Sequence, residues 1–435
     1  MKKLTGYPSI DNIHNSDYSF FSRNPIIPNM SIYNTISLIS NFYRKEEAID
    51  CLDLRVNYDE MLKDAITLSK TLKELGIKKG DIVSAAMPNY YQGVIIYLAC
   101  NRIGAITTFI NSMSSIEEVL GYLNEFESSL FINFDKDKEY NKKIKEGSKV
   151  RNIITLHSNE ISTKNYSSIE TTANGYNDDL SFSDIGSIAK YYKKPIYTLY
   201  GGKEDSLILF TSGSTGNPKS VVLTNENLLA SGIYMKNTGK IKAKVGERCL
   251  VCVPFSYPYG FATSTIMSLI CGRVAVLAPT LSKDNIRYYL SKNPNYVFGS
   301  PALLELIKRN VKENDDLSSI HTFVSGGDFL SPMQNVDGLD FFKLLNMEPY
   351  LILDRYREVR KYNSLLIYID EFDTIGSYVE IEYQESNKEE AYSFIELLGL
   401  NNKEQDKYGD IVRNLISSDD NLKKKMIKKL ERYSE

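Results

Sequence analysis

The groups best suited to hold a polyphosphate are concentrated in one stretch of this chain, Thr211-Ser212-Gly213-Ser214-Thr215-Gly216-Asn217-Pro218-Lys219-Ser220. Glycine lets the backbone turn several N–H groups onto one anion, hydroxyls add donors, and lysine brings a mobile positive charge. A Walker A loop needs glycine directly before its lysine. Here Pro218, which has no N–H to donate, holds that place, so a kinase or GTPase P-loop is excluded. The plain alternative is a flexible Gly/Ser connector. The compact apolar run Ser206 to Phe210 in front, and Val221-Val222-Leu223 with a helix from near Asn225 behind, argue against a connector.

Two other groups of residues could do chemistry. In Pro254-Phe255-Ser256-Tyr257-Pro258-Tyr259-Gly260 the aromatics either line a pocket or pack a core. Near the end, the segments 351–357, 365–370 and 377–382 alternate as strands, with Thr374-Ile375-Gly376 in the last turn. Arg355 and Arg357 share a face of the first, and Glu380 and Glu382 share a face of the third. Paired arginines suit phosphate oxygens and paired carboxylates suit a hard divalent cation; the wet face of an ordinary sheet would look the same. Cys249 and Cys252 have C-x-x-C spacing but sit in Cys-Leu-Val-Cys-Val, which reads as a buried strand. Positions i and i+3 of a strand face opposite sides, so a shared metal is not expected.

The elements that must position these residues form an α/β alternation from residue 52. Asn57 and Glu60 have capping-box spacing, Met61, Ala65, Leu68, Leu72 and Leu75 repeat at helical steps, and Gly76 is placed to end that helix. Strands are expected at 81–85 and 105–109, with a helix from about Tyr90 to Arg102 between them. Residues 136–203 turn polar and read as loops or a loosely packed insert. The fold class is α/β, with layered, mostly parallel sheets under covering helices, followed by a smaller α+β domain with an antiparallel, partial-barrel sheet.

Composition sets the outer limits. A chain of 435 residues exceeds one core, and 42% hydrophobic with 25% charged residues marks a globular protein. A net charge of −3 leaves no basic footprint for nucleic acid. Polar residues interrupt every apolar run well short of a membrane span. Met1-Lys2-Lys3-Leu4 is basic, but Pro8, Asp11 and Asn12 precede any apolar stretch of signal-peptide length, so a cytoplasmic location is expected. Five cysteines suit a reducing compartment. The last helix sets Leu422, Met426, Ile427 and Leu430 against five lysines and reads as a packing helix.

Taken in order, these pieces resemble the adenylate-forming (AMP-binding, acyl-CoA synthetase-like) superfamily. Its signature runs T-S-G-[ST]-T-G-x-P-K-G, then hydrophobics and T-x-x-N. Thr211 to Lys219 follow it, Ser220 takes the place of the last glycine, and Thr224-Asn225-Glu226-Asn227 matches the next element, with Asn225 where histidine is common. Upstream, Val56 to Glu60, Leu75 to Val83, Met87-Pro88-Asn89 and Gly104-Ala105 keep the family's order. Downstream, Pro254 to Gly260 resembles a P-x-x-H-x-x-G segment with Tyr257 in the histidine place, and Ser325-Gly326-Gly327 resembles a glycine pair beside the acyl and adenine pockets. The resemblance spans about residues 30–332. It implies ATP with Mg2+, attack of a carboxylate on the α-phosphate to give an acyl-adenylate and pyrophosphate, and then thioester formation with CoA. It also implies roles. Lys219 and Thr211 would be catalytic; Thr211, Ser212, Gly213, Ser214, Thr215, Gly216, Lys219, Gly326 and Gly327 would hold the nucleotide; Tyr257, Tyr259 and Gly260 would shape the acid pocket.

After Pro332 that family's Y-G-x-T-E and T-G-D segments and its mobile C-terminal domain with a second lysine are not found. Instead, Arg355-x-Arg357, Ile369-Asp370, Ile375 to Glu382, Leu397 to Leu400 and Lys407-Tyr408 resemble the second half of a CYTH domain, the triphosphate-tunnel fold of class IV adenylate cyclases and thiamine triphosphatases. That resemblance implies phosphate at Arg355 and Arg357 and metal at Glu380 and Glu382. Its opening E-x-E-x-K strand is missing, so edges would stay bare unless the large domain or a second copy in a homo-oligomer covers them. The expected domains are 1–333 and 334–435. Three readings stand: an acid ligase impaired by the missing parts, a CYTH-like triphosphate-binding or cyclase-like protein, and an inactive nucleotide-binding fusion.

Overall fold

The structure is a computed structural model that describes residues 26–164, 166, 179–197, 200–211, 219–237, 244–312, 315–325, 355–363, 365–372 and 376–382, with residues 389 and 393. It falls into two units, Met1–Asp328 and Phe329–Glu435.

In the first unit, Ser31 caps helix α1 (Ile32–Ile39). Strand β1 (Glu47–Cys51) turns into β2 (Leu54–Asn57), and α2 (Tyr58–Glu74) follows. Asn57 and Glu60 close the anticipated capping box, the Asn57 side chain accepting from Glu60 N at 2.9 Å and the Glu60 carboxylate from Asn57 N at 3.0 Å. The α2 residues Met61, Ala65, Leu68 and Leu72 are fully buried, and Gly76, at φ 80°, takes the left-handed turn after it.

Strand β3 (Ile82–Ala86), helix α3 (Tyr91–Ile103) and strand β4 (Ile106–Ile110) come next. Every residue of α3 except Arg102 is buried, which is why this helix is apolar all round rather than striped. Helix α4 (Ile116–Glu125), β5 (Leu130–Phe134), α5 (Lys138–Gly147), β6 (Asn152–Leu156), β7 (Asp179–Ser181) and α6 (Ile185–Ala189) continue the alternation.

These last elements correct the reading of 136–203 as loops or a loose insert. β6 lies inside a sheet, paired in parallel with β5 and β7, and α5 covers it with Asn141 and Ile144 buried. The polar composition misleads because some polar residues are internal. Asn133 donates to Asn141 at 2.8 Å and Asn141 to Thr155 at 3.1 Å, so buried polar side chains are joined to one another.

Strands β8 (Asp205–Thr211) and β9 (Lys219–Thr224) complete a seven-stranded sheet ordered β7-β6-β5-β3-β4-β8-β9, parallel except for the β8–β9 hairpin. Helix α7 (Asn225–Asn237) follows. Strands β10 (Arg248–Val251), β11 (Val274–Leu277), β12 (Tyr296–Gly299) and β13 (Thr322–Ser325) join β1 and β2 in a six-stranded sheet ordered β13-β12-β10-β11-β1-β2, parallel except for β2. One apolar core runs between the two sheets, taking Val83 and Leu130 from the first and Ile49, Val251 and Ala275 from the second.

In the second unit the described strands are β14 (Arg355–Tyr362), β15 (Leu365–Phe372) and β16 (Gly376–Glu382), an antiparallel sheet in that order. Residues 351–354, assigned to the first strand from sequence, lie outside the described residues, as do Thr374, Ile375, the final helix and the domain junction at 332–336.

Candidate functional site

Thr211 closes β8 and Lys219 opens β9, and their backbones are register partners at the end of the hairpin. The sequence Ser212 to Pro218 therefore begins and ends at one point on the carboxyl edge of the sheet. Ser212, Gly213, Ser214, Thr215 and Gly216 lie outside the described residues, as do Gly326, Gly327 and the side chains of Thr211 and Lys219. The base of the hairpin is held from α4. Tyr122 and Phe126 pack on Phe210 with ring centroids 4.4 and 5.7 Å away, and the Ser220 hydroxyl donates to Glu125 at 3.2 Å.

Behind the hairpin, Asn225 is buried and fully engaged. Its side-chain oxygen accepts from Ile32 N at 3.1 Å and Asn101 Nδ2 at 2.7 Å, while its amide donates to the carbonyls of Gly201 and Glu204 at 3.3 and 3.1 Å. Asn101 also donates to Ser206, at the start of β8, at 2.8 Å. The asparagine that stands where histidine is common thus ties the start of α7 to α1 and α3.

The second segment follows the carboxyl end of β10. Gly260 is required by space: a Cβ there would lie 2.3 Å from the Val253 carbonyl oxygen and 2.4 Å from that of Pro254. Its role in the structure is to let this turn close on itself. Tyr259 opens a π-helix (Tyr259–Ile266) and donates from its hydroxyl to Val324 O, in β13, at 2.5 Å. Burial raises that hydroxyl well above the ordinary tyrosine range. Tyr257 is 45% exposed. The Tyr122 hydroxyl is raised by burial and then by the charges of Glu118 and Glu125.

Two contacts link segments far apart in sequence: Tyr122 packs on Phe210 beside Thr211, and Tyr259 reaches Val324, two residues before Gly326. Thr211 closes β8, Val324 is the penultimate residue of β13 and Tyr259 follows β10, at carboxyl ends of parallel strands, where open α/β sheets place ligands. Sequence reasoning passed over three side chains here. Tyr122 carried no motif. Ser256 is 8% exposed, and its hydroxyl finds no partner among the described residues. Asn89 was visible only as one letter of a motif, with no role attached.

The strand expected over Cys-Leu-Val-Cys-Val stops at Val251, one residue before Cys252. Cys249 lies within β10 and Cys252 follows it, and their thiols meet different carbonyls, Ser264 O at 4.0 Å and Phe298 O at 3.2 Å. Burial pushes both thiols up to about 12.

In the second unit, register places Arg357 opposite Asp370 and Asp370 opposite Tyr378, and it places Arg355 opposite Phe372 and Tyr368 opposite Glu380. Arg355, Arg357, Asp370, Glu380 and Glu382 thereby share one face of the sheet. Leu365 and Ile367, on the other face, are buried.

The sequence profile of the AMP-binding enzyme family matches residues 40–334. The chain belongs to that family. A long-chain-fatty-acid–CoA ligase of Bacillus subtilis is 26% identical over 317 residues, covering 69% of this chain and 56% of the relative. An acetyl-coenzyme A synthetase of Coprinopsis cinerea is 26% identical over 302 residues, covering 64% of this chain and 43% of the relative. The chain thus spans about half the length of these curated relatives. Among solved structures, a putative long-chain-fatty-acid CoA ligase from Rhodopseudomonas palustris superposes with a TM-score of 0.60 at 13% identity, covering 79% of this chain and 90% of that one. A fatty acyl CoA synthetase of Mycobacterium tuberculosis gives 0.58 at 19% identity, covering 75% of this chain and 59% of that one. These likenesses establish the AMP-binding fold of the first unit. The match ends at residue 334, and the triphosphate-tunnel resemblance of the remainder draws no support from these comparisons. Among the described residues no helix is long and apolar enough to cross a membrane.

Proposed function

We propose that this AMP-binding protein activates a carboxylic acid with ATP, forming an acyl-adenylate and pyrophosphate, with CoA as the acceptor of the acyl group. The observation that supports this reading is the β8–β9 hairpin, whose register partners Thr211 and Lys219 flank the Ser-Gly-Ser-Thr-Gly sequence at the carboxyl end of β8. The loop's N–H groups and the hydroxyls of Thr211, Ser212, Ser214 and Thr215 hold the β- and γ-phosphates, and Lys219 offsets charge as the acid oxygen approaches the α-phosphate. Each charge-assisted bond contributes about 1.5–3 kcal/mol. Gly326 and Gly327 leave room for the nucleotide, while Tyr257, Tyr259 and Gly260 shape the acid's side of the cleft. Mg2+ enters with ATP, ligated mainly by phosphate oxygens, as is usual where it is bound with a nucleotide. The reaction suits a cytoplasmic protein with access to ATP. Pyrophosphate exchange into ATP across a panel of carboxylic acids tests the reading, and exchange with no acid would remove it.

A second reading applies to the second unit. Register sets Arg355 and Arg357 on the face that also carries Glu380 and Glu382, an arrangement that suits a metal-bound triphosphate in a CYTH-like sheet, completed by a second copy of the chain. Metal-dependent hydrolysis of ATP, thiamine triphosphate and inorganic triphosphate tests it. ATP affinity without exchange or hydrolysis would favour a nucleotide-binding protein that does not turn over.

A further inference from the structure

We propose that Asn89 is the positioning residue of the acid pocket. It pins the Val253–Gly260 segment, which follows the six-stranded sheet, to the turn after β3 in the seven-stranded sheet. The inference rests on the ligase reading for its functional consequence but not for its geometry. Asn89 is 2% exposed. Its amide donates to Val253 O at 2.9 Å, and its side-chain oxygen accepts from Phe255 N at 2.9 Å. One side chain thus satisfies a donor and an acceptor on either side of Pro254, as a neighbouring strand would, at a place where the parallel strands have ended.

The ring of Phe255 completes the attachment. It is buried at the N-terminal end of α3, where a Cβ on Gly93 would lie 2.9 Å from it, and it packs on Phe109 and Phe261 with centroids 5.5 and 5.0 Å away. Ser256, Tyr257 and Tyr259 therefore project from a backbone fixed at both ends, by Asn89 at one and by the Tyr259 bond to Val324 at the other. The two ends belong to different sheets, so the place of Tyr257 relative to the Thr211–Lys219 hairpin depends on Asn89. An asparagine with both bonds made and only 2% of its surface exposed has no room to act on a ligand itself. It acts through Tyr257 and Tyr259.

The test uses the full chain and two variants, with hydrogen exchange read by mass spectrometry. In Asn89→Ala both bonds are lost, and amides of 253–261 should exchange about tenfold to a hundredfold faster while β3, β4 and β10 stay protected. Asn89→Asp supplies a variant that reports even if the alanine form does not fold. Protonated, it can donate to Val253 O and accept from Phe255 N; ionised, it faces a carbonyl oxygen and cannot. Burial beside a carbonyl oxygen raises the carboxyl at this 2%-exposed position above the ordinary aspartate range, so once corrected for intrinsic rates, protection of 253–261 should be close to wild type near pH 5 and lost near pH 8. In pyrophosphate exchange the variants should raise KM for the acid at least about tenfold and leave KM for ATP unchanged. Unchanged exchange at 253–261, or equal loss of protection across the whole first unit, would overturn the proposal. If wild type shows no pyrophosphate exchange, the ligase reading fails while the hydrogen-exchange result still decides whether Asn89 holds the segment.

Discussion

Replacing Gly260 by alanine should disturb both stability and acid binding. Cβ atoms essentially never come within 3.0 Å of a non-bonded heavy atom, yet at this position one would stand 2.3 Å from Val253 O and 2.4 Å from Pro254 O. Something must yield by about 0.7 Å, the difference between those distances. Both obstructing atoms are backbone carbonyls, so no side chain can swing aside. The turn must open, and opening it stretches the Asn89 bonds to Val253 and Phe255 and the Tyr259 bond to Val324. Overpacking of this kind costs about 1–3 kcal/mol, and rigid backbone puts Gly260→Ala toward the upper end. With an unfolding entropy of about 2.1 cal/mol/K per residue, a unit the size of Met1–Asp328 shifts by roughly 1.5 °C per kcal/mol, so the first unit should melt about 3–5 °C lower by calorimetry. KM for the acid should rise because Tyr257 and Tyr259 move with the turn. A melting temperature within about 1 °C of wild type together with an unchanged KM would refute the reasoning.

Other perturbations reach further from the cleft. Asp50, fully buried in β1, accepts from Lys292 at 2.5 Å and meets the Arg248 guanidinium, which also pairs with Glu47 at 3.1 Å, so Asp50→Asn should cost about 3–5 kcal/mol in urea unfolding chiefly by leaving the nearly buried Lys292 without its carboxylate; a cost under about 1 kcal/mol would contradict this. Asp315 is held down to about 2, from an ordinary 3.8, by the Arg287 guanidinium and the Lys312 backbone N–H. Its contribution to stability is therefore present above about 3.8 and lost as pH falls toward 2, and Arg287→Ala should return its carboxyl titration toward 3.8 by NMR. Burial pushes the thiols of Cys51, Cys100, Cys249 and Cys252 up to about 12, so iodoacetamide at pH 8 should leave all four unmodified until denaturant is added. Rapid native labelling of Cys252 would show that its strand end opens.

The sequence revealed most clearly what local rules control. The Asn57–Glu60 capping box, the α2 stripe and Gly76 act within a few residues, and the structure contains each of them. Strand edges moved by a residue or so: β3 runs Ile82–Ala86 rather than 81–85, and β4 runs Ile106–Ile110 rather than 105–109, because pairing rather than propensity ends a strand. β6 and α5 were missed because buried amide networks such as Asn133–Asn141–Thr155 make an ordered region look like loop. In the cleft, the motif residues could be read but their supports could not. Tyr122, Ser256 and Asn89 gain meaning only when the carboxyl ends of β3, β8, β10 and β13 are brought together, and nothing in the spacing from 89 to 253 signals that meeting.

The account depends on the loop between Thr211 and Lys219 holding the phosphate tail of a nucleotide. Calorimetric titration of the full chain with Mg2+–ATP, wild type beside Lys219→Ala, tests this most directly. Wild type should bind, and the variant should bind about tenfold or more weaker, as loss of one charge-assisted contact of 1.5–3 kcal/mol requires. Equal affinity in the two proteins, or no binding to wild type, would contradict it.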